Sequence, residues 1–128
     1  MVSNPNLSRI QRFALRFWAA LALLMALAIA VGSLLPADEL PEQLPWDKLQ
    51  HLVGYGVLAL LACLAGFSRL KALIVVVAYG VAIEYAQLLS PGRMGGDWFD
   101  ILANTLGALL GLGVATVLIG LYLAMRRR

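Results

Sequence analysis

The chain is expected to be an all-α integral membrane bundle of four transmembrane helices with both termini in the cytoplasm, and three observations lead there. Hydrophobic residues make up 62% of the 128 and charged residues only 13%, whereas a soluble domain carries about a quarter charged residues. Four apolar segments, at 17–35, 49–67, 72–89 and 99–123, are 18 to 25 residues long, and about 20 residues of helix cross a bilayer core. The charges are also sorted by side. Arg9, Arg12 and Arg16 precede the first segment, Arg69 and Lys71 fill the second connection, and Arg126, Arg127 and Arg128 end the chain. All seven acids fall on the other side of an alternating four-span topology, with only Lys48 and Arg93 beside them. Basic residues mark the cytoplasmic face, so the acidic face is expected to look outward from a multi-pass inner (plasma) membrane protein.

Each segment has its own justification. The first has a basic start and a Leu- and Ala-rich run, flanked by Trp18. It includes the triplet Ala28-Ile29-Ala30, which resembles a signal-peptide cleavage site, but its apolar stretch continues through Leu35 and favours a retained helix. The connection after it carries Asp38, Glu39 and Glu42. The second segment opens after Pro45 with Trp46 at the outer boundary and Asp47 placed to cap the helix. The third ends near Glu84 and Gln87 before Pro91. The fourth opens with Asp97 as cap and Asp100 as the reciprocal partner of a capping box, beside Trp98. It continues through Ala103, Gly107, Gly111 and Ala115, a small-residue stripe that lets helix backbones approach closely in lipid, and is therefore expected to be the central packing element, with Tyr122 near the inner boundary. Continuous apolar runs rather than alternation argue against strands. The whole of 1–128 reads as one membrane domain, with no repeat or linker.

Residues three, four and seven apart share a helix face. Asp47, His51 and Tyr55 follow at intervals of four, with Lys48 three before His51; Glu84 and Gln87 form a second set; Asp97, Asp100 and Asn104 form a third. A rise of about 1.5 Å per residue places Glu84 and Asn104 at matching depth, roughly 7 Å inside the outer boundary. An outward-opening polar pocket between helices two, three and four is expected. Glu84, far from the start of its helix, cannot cap that helix and needs a partner such as Arg93, Lys48 or His51, or else must stay neutral. His51 can titrate near neutrality, with Asp47 one turn away to orient it. His51 and Glu84 are therefore the candidate catalytic residues. Asp47, Lys48, Tyr55, Gln87, Arg93, Asp97, Asp100 and Asn104 are the candidate ligand-binding residues. Lys48 also reads as a snorkelling side chain and Arg93 as a neutraliser of nearby acids. Cys63 is the single cysteine, in mid-span, and excludes an internal disulfide. With one histidine, zinc is not expected; Asp97, Asp100 and Glu84 allow at most an oxygen-only Mg²⁺ or Ca²⁺ site. No metal and no cofactor is assigned.

The runs Asp47-Lys48-x-x-His51-x-x-x-Tyr55, Glu84-x-x-Gln87 followed by Gly92-Arg93, and Asp97-x-x-Asp100-x-x-x-Asn104-x-x-Gly107 resemble the VanZ-like family. The resemblance covers 47–111, with the first segment less distinctive and the Gly95-Gly96 pair making the turn before Asp97 looser than usual. It implies a small bacterial inner-membrane protein of the cell envelope and a link, through the family's namesake, to resistance against the glycopeptide teicoplanin. The partners expected are membrane lipids and an amphiphilic or lipid-linked ligand at the outer face. Nucleic acid is not expected, and the sequence does not set the oligomeric state. Two other functions fit the same residues: a membrane-embedded enzyme acting on a phospholipid or polyprenyl-linked substrate, and a small proton-coupled exporter using Glu84. The absence of an activated nucleophile among Ser90 and Thr105 weighs against the first, and the lack of a polar path past Asn104 weighs against the second.

Overall fold

The computed structural model describes residues 8–40 and 46–127; Glu42, Pro45 and Arg128 lie outside them. Four long helices account for most of the described chain: α1 (Arg9–Leu34), α2 (Asp47–Leu64), α3 (Arg69–Ala86) and α4 (Trp98–Arg126). Short 3-10 turns at Ala37–Glu39 and Gln87–Leu89 complete it.

Local chemistry sets most helix ends. Ser8 caps α1 in a reciprocal arrangement with Gln11, so this helix begins well before its apolar core. It runs unbroken through Ala28-Ile29-Ala30 to Leu34, two residues before Pro36. α2 closes in a Schellman motif: Gly66 N–H donates to the Cys63 carbonyl at 3.0 Å and Phe67 N–H to the Ala62 carbonyl at 3.1 Å. That geometry needs the left-handed φ of 95° at Gly66, which glycine adopts without steric cost. Ser68 then caps α3 by accepting from Lys71 N–H.

α1, α4 and the segment Arg69–Leu89 are long and apolar enough to cross a membrane. α2 does not meet that description, because its first five residues are Asp47, Lys48, Leu49, Gln50 and His51. The result is an all-α bundle with three clear spanning candidates and one helix whose polar end takes part in the interior.

α2 makes its largest contact with α4, and it also touches α1 and α3. α4 is thus only half of the packing centre expected from its small-residue stripe; α2 sits between all three other helices. The α2–α4 contact is close because glycine faces backbone. A Cβ on Gly107 would strike the Leu52 carbonyl, and one on Gly111 the Gly56 carbonyl. The core around this seam is built from Tyr55, Leu58, Ala59, Ala62, Cys63, Val76, Ala108, Leu112 and Ala115.

α1 contributes no fully buried residue. It leans on the bundle through Ala22, Met25, Ala26 and Ile29 and is tied down by polar bonds. Tyr79 donates its hydroxyl to the Ala26 carbonyl at 2.5 Å, Gln87 Nε2 donates to Ser33 O at 3.1 Å, and Ser90 Oγ to Leu34 O at 2.9 Å. Near the other end of the bundle, Arg69 Nε donates to Thr116 Oγ1 at 2.8 Å, so the start of α3 lies beside the later half of α4.

Candidate functional site

The start of α2, the end of α3 and the start of α4 meet at one end of the bundle, and nearly every polar residue singled out in the sequence converges there. Asp97 caps α4, its Oδ1 accepting from Phe99 N–H at 2.8 Å. Asp100 is not the reciprocal capping partner. It is buried, at 4% exposure, and its Oδ1 accepts from Lys48, whose Nζ also donates to Asp97 Oδ2 at 2.7 Å. Lys48 therefore bridges α2 to α4 instead of snorkelling outward. The bond from Lys48, and after it the Phe99 N–H, hold the Asp97 carboxyl below its usual range.

Asp47 does not cap α2. Trp46 occupies that position without a side-chain bond, and Asp47 Oδ1 instead lies 3.8 Å from His51 Nε2. His51 is buried and its Nδ1 is 2.8 Å from Asn104 Oδ1. An amide oxygen only accepts, so Nδ1 is the donor, and Nε2 points toward the acids. Asp100 Oδ2 lies 3.7 Å from that nitrogen and Glu84 Oε1 3.9 Å. Tyr55 stacks on the ring, at 6.2 Å between centroids and 7° between planes. This fixes its orientation from below.

Glu84 is fully buried, and of the three partners expected for it His51 is the one beside it. Its Oε2 accepts from Asp97 N–H at 3.1 Å, and its backbone carbonyl accepts from Gly96 N–H at 3.0 Å. It cannot cap its own helix, as expected, yet it serves the N-terminus of the next one. The glycine-rich turn is correspondingly tight, not loose. A Cβ on Gly95 would sit 2.5 Å from the Glu84 carbonyl oxygen and 2.6 Å from Leu88 N, and Gly96 takes a φ of 73°. Glu84 Oε1 is left with no hydrogen-bond partner among the described residues, as are Tyr55 OH and Asn104 Nδ2.

Two sequence-derived candidates stand apart from this knot. Gln87 is buried but spends its amide N–H on Ser33 of α1, a positioning bond between helices. Arg93 pairs with no described carboxylate; it lines a cavity of about 210 Å³ with Met25, Ala28, Ile29 and Ser33 of α1 and Asp47, Gln50, His51 and Tyr55 of α2. The cavity is thus bounded by α1 and α2, not by helices two, three and four, whose junction is filled by the charged side chains themselves. The two hydroxyls considered as nucleophiles are bonded to backbone, Ser90 to Leu34 O and Thr105 to Ile101 O.

Sequence reasoning missed three contributors. Gly80 makes room for the knot, since its Cβ would lie 2.9 Å from Asn104 Nδ2 and 3.0 Å from the Tyr55 ring. Ser33 and Tyr79 bring α1 to the site through backbone bonds. A glycine inside an apolar span is the one signal that could have pointed to the first.

Apolar helices around a knot of four acids, a lysine and a histidine, with Glu84, Asp100 and His51 buried in it, define an α-helical membrane protein with its polar groups gathered at one end. The chain belongs to the VanZ/LLP1 family, whose pattern matches residues 3–120 and so takes in α1 as well as the polar motifs. No curated protein and no solved structure matches it.

Proposed function

We propose that this is a four-span protein of the bacterial plasma membrane, forming one domain, with both termini cytoplasmic and its polar knot outward, that engages the anionic headgroup of an amphiphilic or lipid-linked molecule. The observation that carries the reading is the lining of the 210 Å³ cavity. One wall is apolar, from Met25, Ala28 and Ile29; the other is polar, from Asp47, Gln50, His51, Tyr55 and Arg93. Arg93 has no carboxylate partner there among the described residues, so its guanidinium faces a site of mixed polarity suited to a charged head with an apolar tail. The charge asymmetry supports the orientation: Arg69, Lys71, Arg126 and Arg127 lie at the end away from the acids, which is the cytoplasmic end by the positive-inside rule. α2 completes the set of spans because Lys48 and Asp100 neutralise its polar first turn within the bundle.

Resistance to teicoplanin would follow if the lipid-tailed drug, or the lipid-linked precursor it targets, occupied this cavity. The test is teicoplanin susceptibility of a Gram-positive host expressing the wild type, Arg93→Ala or Glu84→Gln at matched membrane abundance. Protection by the wild type and its loss in Arg93→Ala supports the cavity reading. Equal protection from all three defeats it. No protection from any removes the resistance role and leaves headgroup binding to be measured by lipid co-purification.

A second reading, an enzyme acting on a phospholipid or polyprenyl-linked substrate, is favoured by one observation. His51 is held through Nδ1 to Asn104, and its Nε2 makes no hydrogen bond among the described residues and stands at the wall of the cavity, where a general base would be needed. Turnover of a phospholipid or polyprenyl phosphate by the purified chain, abolished in His51→Gln, would establish it.

A further inference from the structure

His51 Nε2 is surrounded by carboxylate oxygens from three helices: Asp47 Oδ1 at 3.8 Å, Glu84 Oε1 at 3.9 Å and Asp100 Oδ2 at 3.7 Å. Each distance is too long for a hydrogen bond. If a proton on Nε2 held this arrangement together, one oxygen would be drawn to bonding distance, and none is. Two ligands on a common cation behave differently. With bond lengths of about 2.0–2.2 Å, an imidazole nitrogen and a carboxylate oxygen at tetrahedral to trigonal angles stand about 3.3–3.8 Å apart. The observed spacings lie at the upper edge of that range.

Three further facts fit a cation bound at Nε2. The donor tautomer is set at the other nitrogen, since Nδ1 gives its proton to the Asn104 side-chain oxygen; a metal-bound histidine is oriented by the same kind of bond. Glu84 is fully buried, and its Oε1, aimed at Nε2, has no hydrogen-bond partner among the described residues. The charges also fail to balance internally. Lys48 is shared between Asp97 and Asp100, which leaves Glu84 and Asp47 facing the imidazole without a fixed positive charge.

We propose that Asp47, His51 and Asp100, whose ligand atoms lie within 4.8 Å of one another, bind one divalent first-row cation, with Glu84 Oε1 accepting a hydrogen bond from a water on it. One imidazole with carboxylates is a borderline-hard donor set that suits Mn²⁺, Fe²⁺ or Zn²⁺ better than Mg²⁺ or Ca²⁺. The sequence did not point to this set because each helix supplies too little: a His and an Asp from α2 and one Asp from α4, with a Glu from α3 behind them. Asp47 and His51 also line the cavity that holds Arg93, so the ion's remaining positions would open onto it. The inference does not depend on an amphiphile binding there.

The test is Mn²⁺ binding to the full chain, purified through chelator and placed in zwitterionic-lipid nanodiscs with no amphiphile added, read by the electron paramagnetic resonance signal of free Mn²⁺. One Mn²⁺ per chain is expected, displaced by Zn²⁺, with affinity at least tenfold weaker in Asp47→Asn, lost in His51→Gln and unchanged in the exposed Glu39→Gln. Asp47 is itself exposed, so Asp47→Asn carries the test even if His51→Gln misfolds. No saturable binding beyond that of empty discs, or equal binding by wild type and Asp47→Asn, overturns the site. Because no amphiphile is present, either of those results leaves the headgroup reading to stand or fall on Arg93.

Discussion

The two ends of the α2–α4 contact are held together by opposite means. At the start of both helices, Lys48 reaches across to Asp97 and Asp100, and His51 to Asn104. One and two turns further along, there is no side chain at the closest points: Gly107 lies on the Leu52 carbonyl and Gly111 on the Gly56 carbonyl. The polar end gains specificity from charge in a place where water is scarce. The glycine end gains dispersion from close backbone approach, since lipid offers no hydrophobic force to press helices together. A helix pair can therefore carry an expensive polar site at one end because its other end packs backbone against backbone.

The largest effect should come from breaking the glycine end. Gly111→Leu forces a side chain into the α2 backbone and is expected to cost about 3 kcal/mol, enough to lower the folded fraction sharply in detergent thermal melts. Gly113→Ala, on the same helix but with nothing within 4 Å of its Cβ, should be neutral or slightly stabilising, so that contact rather than helix propensity is what the pair of variants reports. If both melt alike, the close-approach account fails.

Breaking the polar end should cost less. Lys48→Met strands the buried Asp100 carboxylate, and a loss of about 2–3 kcal/mol is expected, below the glycine effect because the lysine is partly exposed. Adding Asp100→Asn should recover part of it. Failure of the second substitution to help would show that Lys48 contributes packing and not charge.

The turn between α3 and α4 gives a sharper comparison. Gly95→Ala meets the Glu84 carbonyl, and about 2 kcal/mol is expected; Gly96→Ala meets nothing but must hold a positive φ, at about 1 kcal/mol. Reversal of that order, by the same melts, would mean that strain rather than contact dominates the turn.

The smallest effect is one of pH. The Asp97 carboxyl titrates lower in the folded chain than its unfolded value of about 3.8, so its contribution is present above that value and lost as pH falls through the lower folded one. Stability should drop below pH 4 through this group, and Asp97→Asn should flatten that part of the curve while leaving Lys48 on Asp100. An unchanged acid limb in the variant would assign the loss to another carboxylate.

Much of this was legible in the linear chain. The polar stripes on α2 and α4 share faces because helix geometry is periodic, and Gly107 and Gly111 announced a close contact because small residues at that spacing have little other use in lipid. The places where expectation failed share a cause. Asp47 and Asp100 read as caps because capping is local, but Lys48 and His51 outbid the local backbone once α2 and α4 met. Arg93 read as a partner for acids because it is near them in sequence, yet the turn directs it to α1.

By itself, then, the sequence determined the all-α class, the apolar helices, the gathering of charge to one end and family membership, all of which follow from composition and short periodic patterns. Only the tertiary structure decided that α2 sits among the other three helices, that the cavity opens between α1 and α2, and that Glu84 bonds the start of α4. It also decided that three carboxylates from three helices face one imidazole nitrogen. Those outcomes depend on distances between residues far apart in the chain, and such distances are set by which backbones can approach and which buried charges must find a partner.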